Sequence, residues 1–311
     1  MKKVLSIMIM TALAYTVSAQ NFIDKRPDKE KENLKGSVRQ VTEYDIDDVD
    51  YFSTDELKQY REQGTTPPTT KKVFKKTTDY NRDGFITKCS FNPEDALSLD
   101  YTVSYLDGNK VDKKITYEKD GSIRNTYFFE YDSNGKCIHS EKMTPNKNVI
   151  FNEDYFYDNE GRLWRMIHTN NTGSTETFTF EYDNNNDISK MSQKTQYAEN
   201  VFKLDRSVAN PTEVWLSSGN ATRHLRMTYD LDGIPFLVEE EVTDTWVPTI
   251  VRKFDSYGNT ASETTFNTDG TTERIDTMEY EYDSYGNWTR LRRSSTVNYM
   301  NFTKEREIAY Y

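Results

Sequence analysis

The chain of 311 residues carries 51 acidic against 40 basic side chains, a formal charge of −11, and is only 35% apolar but 14% aromatic. The acid excess excludes a general attraction to nucleic acid or an anionic membrane surface and favours neutral, cationic or metal-bridged partners. The 22 tyrosines and 16 phenylalanines suit half-buried pleated strands and weigh against a helix bundle.

Lys2 and Lys3, the apolar run Val4 to Ala14 and the small-residue site Val17-Ser18-Ala19 predict a signal peptide over residues 1–19. Gln20 stands where a lipoprotein would need Cys, and no later stretch reaches the about 20 apolar residues of a spanning helix, so no transmembrane anchor is expected. Loss of Lys2 and Lys3 leaves 38 basic against 51 acidic residues, a charge of −13. Export would deliver the mature chain to the periplasm, the cell surface or the exterior.

Residues 20–35, charged from Asp24 to Lys35, read as a flexible lead-in. Residues 36–311 follow as one elongated β domain, interrupted at 53–70. There Ser53-Thr54-Asp55-Glu56 opens a capping-box helix over Leu57 to Gln63, Gly64 stops it, and a loop with Pro67-Pro68 follows.

A tyrosine, an acid, two further residues and a glycine recur at Tyr131 to Gly135, Tyr157 to Gly161 and Tyr282 to Gly286, with variants at Tyr229 to Gly233, Phe254 to Gly258 and Tyr182 to Asn186. Asn is the next best residue where positive φ is required, so the glycine position reads as a turn device. The Asp three residues earlier would accept backbone N–H bonds in a type I turn that ends in a G1 bulge. Marks at 108, 135, 161, 186, 233, 258 and 286 are spaced by about 25 residues, with one long gap that reads as two repeats with a degenerate turn. Weaker turns fall midway, near Gly121, Asn146, Gly173 and Gly270, so each repeat predicts two strands of about nine residues. Ile123, Asn125, Tyr127, Phe129 and Tyr131 would share one face, with Phe128 opposite. The predicted fold is therefore all-β: antiparallel hairpins stacked into an extended meander or open spiral, with one short helix near the N-terminus.

Cys137, two residues after its turn glycine, reads as core, and Cys89, five after Gly84, falls by period-two counting on the opposite face. About four strands of about 4.8 Å separate them, beyond the about 7 Å Cα reach of a disulfide, so free thiols are predicted. His139, His168 and His224 are too scattered for a metal pair, and no catalytic motif or cofactor loop is present. Asp132, Asp158, Asp183, Asp230, Asp255 and Asp283 would line one sheet edge, capping their turns in preference to recruiting calcium.

Tyr257 and Tyr285 occupy the same position in two copies of Asp-Ser-Tyr-Gly-Asn, one repeat and two strand spacings apart, about 10 Å. With Trp288 nearby they are the candidate ligand-binding residues, suited to sugar rings or a protein partner, against the simpler reading that each ring packs over its neighbouring hairpin.

The phrase Tyr155-Phe156-Tyr157-Asp158-Asn159-Glu160-Gly161-Arg162-Leu163 resembles the core of the YD-repeat, or Rhs-like, family. Leu34 to Val38 and Glu305 to Tyr311 resemble the opening and closing phrases of its short, exported, repeat-only members of the Bacteroidetes type. The resemblance spans roughly residues 34–311 and implies tandem hairpins and a carbohydrate-binding role, without a sugar motif to carry over by residue. The expected function is a non-enzymatic envelope or extracellular module binding a glycan or envelope protein. The alternatives are a scaffold component whose sheet edges pair with another chain, and a polysaccharide-acting enzyme.

Overall fold

The computed structural model describes residues 27–48, 58, 62, 70–95, 97–106, 110–183, 188–196, 198–204, 211–218, 221–229, 235–267, 269–297 and 300–311. The signal peptide, the turn residues Gly108, Asn186, Asp230 and Gly233, and most of the helix expected at 57–63 lie outside these. Of that helix only Lys58 and Glu62 are described; both are helical, with their charged groups 3.9 Å apart.

One short helix, α1 (Asp28–Lys31), precedes the strands. The first ten strands are β1 (Val38–Asp48), β2 (Thr70–Tyr80), β3 (Ile86–Phe91), β4 (Tyr101–Tyr105), β5 (Val111–Tyr117), β6 (Ile123–Tyr131), β7 (Cys137–Met143), β8 (Val149–Tyr157), β9 (Leu163–Asn170) and β10 (Thr175–Tyr182). The second ten are β11 (Ile188–Lys194), β12 (Glu199–Leu204), β13 (Pro211–Ser218), β14 (Ala221–Tyr229), β15 (Pro235–Val242), β16 (Thr245–Phe254), β17 (Thr260–Phe266), β18 (Thr272–Tyr282), β19 (Trp288–Ser295) and β20 (Phe302–Tyr310). The fold is thus the expected antiparallel meander, and the long gap between repeats holds β12 and β13, two further strands joined outside the described residues.

Every strand pairs with its sequence neighbours, and β20 pairs with β1, matching Ile308 to Val41 and Glu305 to Tyr44. The terminal strands, which the scaffold reading would leave as free edges, are each paired on both sides.

The tyrosine turns set the register. At the β6–β7 turn Tyr131 faces Cys137 but Glu130 faces His139, so Ile138 is an extra, bulged residue, and Gly135 sits at φ 76°. The β2–β3, β8–β9, β16–β17 and β18–β19 ladders shift in the same place. This bulge corrects the placement of Cys89. Tyr80 faces Ile86 and Asp79 faces Lys88, so the parity flips and Cys89 lies opposite Thr78, on the same face as Cys137. Both thiols are free and buried.

The buried strand residues share that one inward face, among them Val41, Tyr80, Cys89, Cys137, Tyr155, Met166, Phe178, Met191 and Leu225. Tyr155, Met166, Phe178 and Met191 belong to one apolar cluster and Val41 and Tyr80 to another. Asn125 is buried there too, with Tyr127, Phe129 and Tyr131 half-buried, and Phe128 is exposed on the other face as expected. Ile123, placed inward by the sequence pattern, is 44% exposed at the opposite turn end.

The lead-in is also corrected, because from residue 27 it is a structured strap. Lys29 N–H donates to Gly84 O at 3.0 Å, Ile86 N–H donates to Asp28 Oδ2 at 2.9 Å, and the Tyr80 hydroxyl donates to Glu32 Oε2 at 3.0 Å. Leu34 is buried with Val38, Val41 and Tyr80. Its charge pattern resembled solvated chain because every one of these partners is remote in sequence.

Candidate functional site

The turns that follow Tyr131, Tyr157, Phe254 and Tyr282 are each held by their aspartate. Asp132 Oδ1 accepts from Asn134 N and Lys136 N at 2.9 and 2.8 Å, and Asp158 from Glu160 N and Arg162 N at 3.0 and 2.9 Å. Asp255 and Asp283 do the same for the residues two and four further on. Those N–H donors hold the Asp132 and Asp158 carboxyls below the usual carboxylate range. The turn carboxylates are thus engaged as caps, and among the described residues no group of three His, Cys, Asp or Glu is placed to hold a metal ion.

The two candidate tyrosines sit on these turns and stack on the neighbouring hairpin, as the simpler reading anticipates. Tyr257 lies on Tyr282, centroids 4.0 Å apart and planes 23° apart, while Tyr285 lies on Tyr310 at 4.4 Å. The glycines permit this approach: a Cβ on Gly286 would meet Tyr257 Cε1 at 3.0 Å, and one on Gly36 would meet Tyr285 Cδ1 at 3.1 Å. The stacked phenols anchor the turns in return, since the Tyr282 hydroxyl donates to Asp255 Oδ2 and the Tyr310 hydroxyl to Asp283 Oδ2. Even so, Tyr257 and Tyr285 remain 40% and 55% exposed.

Trp288 does not extend this rim. It faces Tyr282 in the ladder, packs 6.4 Å from Tyr280, and is covered by the Arg306 guanidinium 3.7 Å from its ring. Asn287 ties the strap to the rim, accepting from Lys35 N at 2.6 Å and donating through Nδ2 to Lys35 O at 2.9 Å and the Tyr310 hydroxyl at 2.7 Å. Sequence reading missed this contact; the Asn that follows Gly in both Asp-Ser-Tyr-Gly-Asn copies was its only signal. In the other copy Asn259 Nδ2 donates to the Tyr282 hydroxyl at 2.9 Å.

Each histidine meets a carboxylate and none meets another histidine. His139 Nδ1 lies 2.7 Å from Asp154, His168 Nδ1 3.2 Å from Glu153, and His224 Nδ1 2.7 Å from Glu241. Glu153 is 6% exposed and also accepts from the Tyr155 hydroxyl at 2.7 Å and the Ser140 hydroxyl at 3.1 Å. Burial alone would raise its pKa, but the His168, Tyr155 and Ser140 bonds outweigh this and hold the carboxyl below the ordinary glutamate range. It is an ionised acceptor at neutral pH, the opposite of a poised general acid.

On β16–β20 the inner face carries alternating ion pairs. Glu263 accepts from Arg252 at 2.8 Å and Arg274 at 3.1 Å, while the fully buried Asp276 accepts from Arg274 at 2.8 Å and Arg293 at 2.6 Å. Arg306 reaches Glu43 at 2.8 Å. Each acid there has a guanidinium partner, which suits a structural network.

No protein-family model matches the sequence, and no curated protein matches it. Among solved structures, a porin-like protein from Bacteroides uniformis ATCC 8492 is 12% identical with a TM-score of 0.35, over 88% of this chain and 98% of that one. A porin-like protein from Bacteroides vulgatus ATCC 8482 is 14% identical with a TM-score of 0.30, at the same coverages. The TcdB2-TccC3-Cdc42 structure is 13% identical with a TM-score of 0.29 over 80% of this chain and 17% of that one. Among the described residues no helix is long and apolar enough to cross a membrane.

Proposed function

We propose that this protein is an exported, non-enzymatic binding module of the YD-repeat kind, acting on glycans in the periplasm or outside the cell. The observation that carries this reading is the pair Tyr257 and Tyr285, 40% and 55% exposed yet held in place by Tyr282 and Tyr310. An immobilised aromatic ring offers contact area at small entropic cost, which favours stacking on a sugar. Trp288, half-buried beneath Arg306, falls out of the contact surface and supports the rim from the inner face.

The test is retention of the mature protein, residues 20–311, on a polysaccharide panel, repeated with Tyr257→Ala plus Tyr285→Ala. Weaker retention supports the rim as the contact surface, and unchanged retention removes these tyrosines from it. Failure to bind any saccharide, with capture of one envelope protein, would replace the glycan reading by a protein partner.

A further inference from the structure

A second surface lies on the inner face, far along the meander from the tyrosine rim. Lys114 faces Tyr127, Tyr127 faces Lys142, and Lys142 faces Phe151, so four successive strands, β5 to β8, set cation, ring, cation and ring in one row. Tyr101 extends it on β4: Lys114 Nζ lies 4.3 Å from the Tyr101 centroid and 5.7 Å from that of Tyr127. Lys142 Nζ lies 5.2 Å from Tyr127 and 5.7 Å from Phe151, and the His168 ring closes the row 4.8 Å from Phe151.

What sets this row apart is its charge. The chain has 51 acidic residues, and the inner-face arginines Arg252, Arg274, Arg293 and Arg306 all hold carboxylates. Among the described residues neither Lys114 nor Lys142 forms an ion pair, although both are half-buried. Burial, chiefly, lowers the Lys114 pKa; Cys89 and Asp28 pull it back up, and the nearby Lys142 pushes it down. Two unneutralised ammonium groups on ring faces are costly in the empty protein, and an incoming anion would relieve that cost.

Strand spacing puts like elements of the row about 10 Å apart, and the whole row spans about 20 Å. The complementary ligand is elongated, with flat apolar faces and recurring negative charges. We propose that the row Tyr101, Lys114, Tyr127, Lys142 and Phe151 binds an acidic polysaccharide, its lysines pairing with uronate carboxylates and its rings stacking on the sugar faces. This rests on the binding-module reading but not on Tyr257 or Tyr285. Single-stranded nucleic acid offers the same two features, and its binding in place of the polysaccharide is one outcome of the test.

The experiment is calorimetric titration of residues 20–311 with polygalacturonate, its fully methyl-esterified form, a neutral glucan and an oligothymidylate. Polygalacturonate should bind, the ester should bind more weakly, and Lys114→Gln with Lys142→Gln should cost about tenfold or more in Kd, a change of about 1.4 kcal/mol. Lys142→Arg, which keeps the charge, should retain binding, and Tyr127→Ala should weaken it. Should the double variant fail to fold, the Lys142→Arg and Tyr127→Ala pair carries the same test. Polygalacturonate binding indifferent to these changes, or oligothymidylate binding in its place, overturns the proposal. Binding of the neutral glucan alone, lost with Tyr257→Ala plus Tyr285→Ala, overturns the acidic row and leaves the module reading intact. No saccharide binding at all overturns both.

Discussion

The Tyr157 hydroxyl donates to the Cys137 carbonyl oxygen at 2.8 Å, joining a turn tyrosine to the strand that follows the preceding turn. Tyr131 makes the same bond to Val111 at 2.8 Å, Tyr182 to Leu163 at 2.6 Å and Tyr105 to Ile86 at 2.8 Å. In these four copies the hydroxyl stitches one hairpin to the next, which a phenylalanine could not do. Tyr157→Phe should therefore cost about 1 kcal/mol in urea unfolding, with the ring still packed. Unchanged stability would contradict the stitch.

The turn glycines are required to different degrees. Gly121 has φ 82° with open space around its Cβ position, whereas at Gly286, φ 83°, an added Cβ meets the Tyr257 ring at 3.0 Å. Gly121→Ala should cost the left-handed strain alone, about 1–2 kcal/mol, and Gly286→Ala should cost more and disturb the Tyr257–Tyr282 stack. Equal losses would show that the ring does not rest on the glycine.

Asn287 is 2% exposed and its side chain makes three hydrogen bonds, two of them to the strap backbone at Lys35. Asn287→Ala should cost about 3 kcal/mol and accelerate hydrogen exchange at the Lys35 amide. Unchanged exchange there would mean that the strap is held by Leu34 and the Gly84 turn alone.

The tandem turns were legible because their chemistry is local: Asp, two intervening residues and Gly specify a turn without reference to the rest of the chain. What remained hidden was non-local or cumulative. The G1 bulge adds one residue per turn, and counting Cys89 by twos from Gly84 therefore placed it on the wrong face. The strap has the composition of a solvated segment, and its order comes from Gly84, Asn287 and Tyr80, all distant in sequence. Pairing of β1 with β20 was not readable from alternation, although the two phrases that resembled family ends are those that meet. For the rim, the repeat placed Tyr257 and Tyr285 on equivalent turns, but period alone does not reveal which ring faces the hairpin tyrosines occupy. Trp288 turned inward for the reason Cys137 does, as the second residue after a turn glycine.

Glu153 gives the fold a pH dependence with a defined sign. Its folded pKa lies below the unfolded value of about 4.3, so its contribution is present above that pH and is lost as pH falls through the folded pKa. Glu153→Gln should lower stability at neutral pH and flatten the acid limb of a stability profile. An acid limb identical to that of the parent would contradict the ionised, three-donor account.

Both thiols should be silent in the native state. Burial pushes the Cys137 thiol up to about 12 and raises Cys89 as well, so a maleimide should label neither until denaturant is added. Fast native labelling of either would contradict its inward placement.

The central claim is that a meander of aromatic hairpins serves as a glycan-binding surface. Its most direct test is retention of residues 20–311 on immobilised polysaccharides, both acidic and neutral. The account predicts saturable retention on at least one, released by free polymer. No retention on any of them, by protein shown to be folded, would contradict it.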